Sequence, residues 1–292
     1  MAEQAFDRGA ETVGNIAELG HLNVTIPDQR LSTLFYVTGL GLTRDPYLQT
    51  GTTNMWVNVG KSQFHLPTSK PQKLRGATGL VIHDRKALLD RLTRLKKDLK
   101  DTEFAFREGN DGVEATCPWG NRVRCHAPDA ARFGNIRLGM PYIEFDVGPG
   151  TAPGIARFYR EILGAPAELT NGKKEARAAR VQAGDRQFLV FRESDAPQAP
   201  YDNHHIQIYI ADFSGPYEGL KKLGLVSEES SQHQYRFRDI VDLETRRVLF
   251  TIEHEVRSVT HPLFGRPLVN RNPALNGQDF RRGEEDFAWG NV

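Results

Sequence analysis

The sequence predicts an α+β fold built from four repeated βαβββ modules, and two observations carry that prediction. The first is an internal repeat: setting residue n against n + 123 aligns "HLNVTIPDQRLSTLFYVTGLG" (21–41) with "EFDVGPGTAPGIARFYREILG" (144–164) without a gap. Val24 falls on Val147, Phe35-Tyr36 on Phe158-Tyr159, and Leu40-Gly41 on Leu163-Gly164. At n + 124, "NVGKSQFHL" (58–66) meets "QAGDRQFLV" (182–190), so one residue of loop separates the two registers and the chain is a duplication. The second observation is that each half divides again into a strand, a helix and three strands.

The modules lie near 18–68, 74–129, 139–194 and 202–258. In the first, "GHLNV" is an apolar alternation that puts His21 on an inner face, followed by an amphipathic run stopping at Gly41. In the second, "TGLVIHD" precedes "RKALLDRLTRLKKDLK", where Leu88, Leu92, Leu95 and Leu99 fall at helical spacing and the charges form a solvated face. "TEFAFRE", "GVEATCP" and "NRVRCHAP" supply its strands. The fourth module reads as "HHIQIYIAD", the helix "GPYEGLKKLG", and a closing hairpin of "HQYRFRDIVD" and "RRVLFTIEHEV". Taken in sequence, the modules give an N-terminal segment 1–17, a first domain 18–132, a second domain 139–258 and an extended tail 259–292. The tail, rich in Pro, Gly and Asn, cannot build a core of its own; a lid, a dimer arm and a strap all stay open for it.

Composition excludes several classes. The 292 residues suit two ordinary domains, and Lys+Arg 38 against Asp+Glu 37 leaves a net charge of +1, without the basic stripe of a nucleic-acid binder. No apolar run approaches a bilayer span, and "MAEQAFDRGAETVG" is charged where a signal peptide is apolar, so the expectation is a soluble, cytoplasmic protein with no membrane partner. Cys117 and Cys125 flank a hairpin turn and read as reduced thiols. A small-molecule substrate is the expected partner, and a homodimer is compatible with the sequence.

The "GHLNV" strand, the helix ends "FYVTGLGL" and "FYREILGA", and the closing strand "GKSQFHLP" resemble the vicinal oxygen chelate superfamily, which includes glyoxalase I, extradiol dioxygenases and bleomycin-resistance proteins. The resemblance covers residues 18 to 258. It implies two glyoxalase/bleomycin-resistance/dioxygenase-like domains with cupped mixed sheets, and a divalent metal held inside a cup by the first and last strands of two paired modules.

Testing that implication module by module selects candidate residues. His21 opens the first module, whose closing strand offers Gln63 and His65 on one face; His205 stands at the same place in the fourth module, whose closing strand carries Glu253 and Glu255 on one face. The second module has Ala77 at the opening position and Arg124 and His126 on its closing strand, a degenerate site, while the third has Glu144 opposite His21. Modules one and four together supply His21, His205 and Glu253 as metal ligands, with Gln63 or His65 as a fourth; the sequential pairing would instead use Glu144, His205 and Glu253. Two imidazoles and a carboxylate suit Fe(II) or Mn(II), with Zn(II) or Ni(II) as alternatives. His65 is the candidate catalytic acid/base, and Gln63, Trp56, Phe64 and Tyr209 are candidate substrate-binding walls. His204 is expected to face solvent by alternation. The implied function is a metal-dependent dioxygenase acting on adjacent, catechol-like oxygens. A glyoxalase-, isomerase- or lyase-type enzyme on the same site, and a metal-free binding or resistance protein, are the alternatives.

Overall fold

The computed structural model describes residues 6–170 and 176–270, which take in all four modules except positions 171–175 of the third. The first comprises β1 (Ile16–Asn23), α1 (Gln29–Ser32) continued by wide turns over Thr33–Gly39, β2 (Thr43–Arg44), β3 (Asn54–Val59) and β4 (Ser62–Pro67). The second comprises β5 (Gly76–Ile82), α2 (Arg85–Leu95), β6 (Ala105–Gly109), β7 (Gly112–Thr116) and β8 (Arg122–His126). After a short helix α3 (Ala130–Phe133) come β9 (Leu138–Val147), α4 (Ala152–Leu163), β10 (Ala167–Thr170), β11 (Ala178–Gln182) and β12 (Phe188–Glu193). The fourth module is β13 (His205–Ile210), α5 (Ser214–Lys222), β14 (Val226–Ser231), β15 (Gln234–Val241) and β16 (Val248–Ser258). No helix among the described residues is long and apolar enough to cross a membrane.

Local chemistry sets the helix ends. Asp28 and Asp84 cap α1 and α2 by accepting from the backbone N–H of Leu31 and Ala87. Helix α4 stops at Gly164, whose φ of 63° is the left-handed conformation that glycine adopts without strain. Between Phe35 and Leu40 the first helix widens, the Leu40 N–H bonding to the Phe35 carbonyl, and both Phe35 and Tyr36 are buried, as are Phe158 and Tyr159 of α4. Each such ring contributes about 1.5–3 kcal/mol by leaving water.

Two eight-stranded sheets result, ordered β14-β15-β16-β13-β1-β4-β3-β2 and β10-β11-β12-β9-β5-β8-β7-β6. Module one is therefore joined to module four through the antiparallel pair β1–β13, and module two to module three through β5–β9. The division into 18–132 and 139–258 does not coincide with the sheets: each sheet draws one module from each half of the chain. Gln187 ties the two sheets together, accepting from the Leu19 N–H at 3.2 Å and donating to Ser62 Oγ at 2.8 Å and the Met140 carbonyl at 3.2 Å.

Of the C-terminal tail, residues 259–270 lie within the described part and fold back over the first sheet. Arg266 is ion-paired with Asp45 at 2.6 Å, and Asn270 exchanges two hydrogen bonds with the Gly60 backbone, both at 3.0 Å. The remaining tail, 271–292, lies outside the described residues.

Candidate metal centre

Strand alternation sends one set of side chains from β4, β1, β13 and β16 into the cup and the other set onto the helices. Leu22 pairs with Phe64 and Ile206 with His254 on the helix side. The cup side carries His21 paired with Gln63, Asn23 with His65, His205 with Glu253, and Gln207 with Glu255. Across the central pair, His21 faces Gln207 and Asn23 faces His205. Modules one and four are thus related by a pseudo-two-fold axis that superposes His21 on His205, Gln63 on Glu253, and His65 on Glu255.

A bulge in β1 between Leu19 and His21 makes this possible. Gly20 occupies it, and a Cβ there would lie 1.8 Å from Gln207 Oε1, so any other residue would have to displace the Gln207 side chain.

His21, His65 and His205 come together: each offers a ring nitrogen, and these atoms lie within 4.8 Å of one another. The rings also pack edge to face, His21 with His65 at 5.7 Å and with His205 at 5.6 Å between centroids. Trp56 is the wall of this cluster, stacked on His65 at 3.8 Å and edge-on to His21 at 4.9 Å. The Nε2 atoms of all three histidines are buried without a hydrogen-bond partner. Leaving one buried polar atom unpaired costs about 1–3 kcal/mol, so three converging orphans call for a shared partner. Neutral imidazole is a metal ligand, and these three residues could hold a divalent cation. The residues present fit such an ion.

The charges around the cluster agree. Burial pushes the His21 imidazole well below its ordinary value and that of His65 down to about 3, with the Glu255 carboxylate opposing both, so these rings are neutral at physiological pH. Burial alone would raise the carboxyl of Glu255, but the His205 ring, His21, Arg257 and Arg236 hold it well below the usual carboxylate range. Glu255 Oε2 lies 3.5 Å from His205 Nε2, and Arg257 sits 2.6 Å from Oε1 while Arg236 bonds Oε2. An Asn23 amide nitrogen is placed 2.7 Å from His65 Nδ1; with the amide turned to present Oδ1, the ring would carry its proton on Nδ1 and keep Nε2 free for an ion.

Several expectations need correction. Glu253 accepts from Arg236 at 2.6 Å and Arg238 at 3.0 Å, and it reaches His205 on the Nδ1 side, at 3.8 Å. Glu255, at the position equivalent to His65, is held by Arg236 and Arg257 and lies 3.5 Å from His205 Nε2. His65, the expected acid/base, belongs to the histidine cluster, and burial lowers its basicity. Phe64 points to the helix side, against Tyr36 at 5.0 Å, and lines nothing in the cup. His204 is fully buried, its Nδ1 2.5 Å from Asp202. Tyr209 and Gln63 do line a cavity.

That cavity, of about 370 Å³, opens beside His21 and is lined by Gln63, Gln207, Tyr209, Arg257 and Glu18, with Leu263, Arg266, Pro267 and Leu268 of the tail closing it. Gln63 is held by Asp45 at 3.1 Å and Asn58 at 2.7 Å, and Arg257 by Gln234 at 2.8 Å. Sequence reading missed Glu18 because strict alternation places it opposite to His21; the signal was Gly20, a glycine inside a strand pattern.

The second cup is filled by charge. Glu144 is bound by Arg124 at 3.0 Å and Arg192 at 2.8 Å, Arg192 also reaches Asp146 at 3.1 Å, and His126 Nε2 bonds the Tyr142 hydroxyl at 2.8 Å. Gly79 lies under the Tyr142 ring. The rival ligand Glu144 is thereby committed to arginines, and Cys117 and Cys125 are buried free thiols.

No protein-family model and no curated protein matches the sequence. Solved structures do. Glyoxalase I from Zea mays superposes with a TM-score of 0.54 at 13% identity, covering 82% of this chain and 92% of the maize chain. A substituted form of the same enzyme gives a TM-score of 0.56 at 12% identity, with coverage of 82% and 92%. A candidate dioxygenase from Bacillus subtilis gives 0.54 at 14% identity, over 85% of this chain and 86% of that one. At such identities the likeness is one of fold, and it agrees with the repeated modules and the two cupped sheets. The chain shares the fold of maize glyoxalase I and of the Bacillus subtilis protein.

Proposed function

We propose that the chain is a divalent-metal-dependent enzyme acting on a small molecule with two adjacent oxygens, and specifically a dioxygenase of catechol-like substrates. The observation that carries this reading is that His21, His65 and His205 each offer a ring nitrogen within 4.8 Å of the others, while each has a buried Nε2 without a hydrogen-bond partner. His21, His65, His205 and Glu255 would hold the ion, with Fe(II) or Mn(II) the best match to a nitrogen-rich set with one carboxylate. Bound there, the ion would supply Lewis acidity to neighbouring substrate oxygens and, as Fe(II), redox chemistry with dioxygen.

The chain's own residues set the rest. A cavity of about 370 Å³ is near the lower end of ligand sites, room for a single substituted ring. Gln63, Gln207 and Tyr209 present polar groups around that ring, and Leu263, Pro267 and Leu268 of the tail add apolar wall. Glu253, on the Nδ1 side of His205, orients that ring.

The test is oxygen uptake by Fe(II)-loaded protein with a panel of catechols. Uptake equimolar with catechol loss supports the reading. Metal binding with no uptake on any catechol would move the chain to the glyoxalase- or lyase-type alternative, and a protein that takes up no metal would leave only ligand binding.

A further inference from the structure

We propose that Glu18 is the catalytic acid/base of this site, its carboxylate taking the proton from a catechol hydroxyl bound in the cavity beside His21. The inference rests on the dioxygenase reading above and adds the residue that moves the proton.

Geometry puts Glu18 in place. The bulge at Gly20 turns β1 so that Glu18 pairs with Tyr209, and Glu18, Tyr209 and His21 line the same cavity. The carboxylates nearby are otherwise committed: Asp45 to Arg266, Glu253 to Arg236 and Arg238, Glu255 to Arg236 and Arg257. Glu18 makes no hydrogen bond or ion pair with any described residue, and it is the one carboxylate among the described residues lining this cavity. A base held by arginines on both oxygens has little capacity to accept a proton; an unpaired one at the cavity wall does.

Burial tunes it. Desolvation raises its carboxyl to about 7, with Lys61 opposing, so both protonation states are populated near neutral pH. The charged or titratable groups facing it are Lys61 from the β3–β4 turn, Tyr209, His21, Arg257 and Arg266 across the cavity, and Asp185 with Arg186 behind it. In the step itself, the catechol O–H bond breaks, its electron pair stays on the substrate oxygen as phenolate, and the proton forms the O–H of neutral Glu18. The same proton is available to the product afterwards.

The experiment uses 4-nitrocatechol, whose visible absorption reports its ionisation, added under nitrogen to Fe(II)-loaded wild-type protein, Glu18→Gln and Glu18→Asp. The expected result is a fully ionised bound probe in wild type, a singly ionised one in Glu18→Gln at unchanged metal content, and partial recovery in Glu18→Asp. Identical bound spectra in wild type and Glu18→Gln would overturn the role of Glu18 while leaving the catechol site standing. Loss of metal from Glu18→Gln would also overturn it, assigning the residue to the metal shell. A wild type that does not perturb the probe would remove the catechol reading and this inference with it.

Discussion

His65 and Glu255 occupy equivalent positions in two copies of one module, each two residues beyond the side chain paired with its module's opening histidine, Gln63 with His21 and Glu253 with His205. Duplication has therefore produced a site with matching geometry and different chemistry on its two sides. Three imidazoles and one carboxylate meet where identical modules would place two copies of a single pair.

This relationship separates the two glutamates. Glu255→Ala is expected to lower metal affinity by well over 100-fold, whereas Glu253→Gln keeps full stoichiometry at saturating metal and loses about 10-fold in affinity, as expected for a group acting through His205. Titration with Mn(II) or Zn(II) by calorimetry reads both, and the reverse order of effects would return the ligand role to Glu253.

The second cup gives a control. Because Arg124 and Arg192 hold Glu144, Glu144→Gln should leave metal content unchanged while lowering stability by about 1–3 kcal/mol, since two partly buried arginines lose their shared anion. Chemical denaturation alongside metal analysis checks both halves of that statement.

Arg266 fastens the tail over the cavity through the buried Asp45, whose carboxyl burial would raise but which the Arg266 guanidinium and the Tyr47 and Leu48 N–H groups hold low. Arg266→Ala should make the chain near 259–270 cleavable by limited proteolysis with the sheets intact, at a cost of about 1–3 kcal/mol. Protection equal to wild type would show that Asn270 and its two bonds to Gly60 suffice.

Glu18 predicts a pH signature in stability. Its folded carboxyl sits at about 7 against an ordinary 4.5, so between these values the folded chain keeps a proton that the unfolded chain releases, and stability falls as pH rises through that window. Glu18→Gln removes the dependence. Its melting temperature should exceed that of wild type at pH 8, by the equivalent of about 1–3 kcal/mol, and match it near pH 5. An equal difference at both pH values would contradict a desolvated carboxyl.

Much of this was legible in the sequence, for identifiable reasons. The duplication was visible because the FY-x-x-x-L-G helix end recurs in modules one and three, where Phe35, Tyr36, Phe158 and Tyr159 are buried; the other two modules were visible from their strand–helix–strand order. His21 and His205 were found because equivalent strand positions repeat the residue. Separating Glu255 from Glu253 is beyond pattern reading: both lie on one face, and only the fold shows Glu255 beside His205 Nε2 and Glu253 on its Nδ1 side. Glu18 was hidden by a bulge, which shifts every residue before it to the other face. The association of module one with module four, made by the β1–β13 pair, was signalled in the sequence by the histidines the two modules share, since the local periodicity of each module is indifferent to its partner.

The central claim is that His21, His65, His205 and Glu255 hold one divalent ion between the first and fourth modules. Metal analysis of untagged protein purified without chelators, beside His21→Ala, His65→Ala, His205→Ala and Glu255→Ala, tests it most directly. The account predicts about one ion per chain in wild type, as isolated or after incubation with Fe(II), Mn(II), Zn(II) or Ni(II), and a large loss in all four variants. A wild-type chain that takes up none of these ions, or variants that retain them at wild-type affinity, would contradict it.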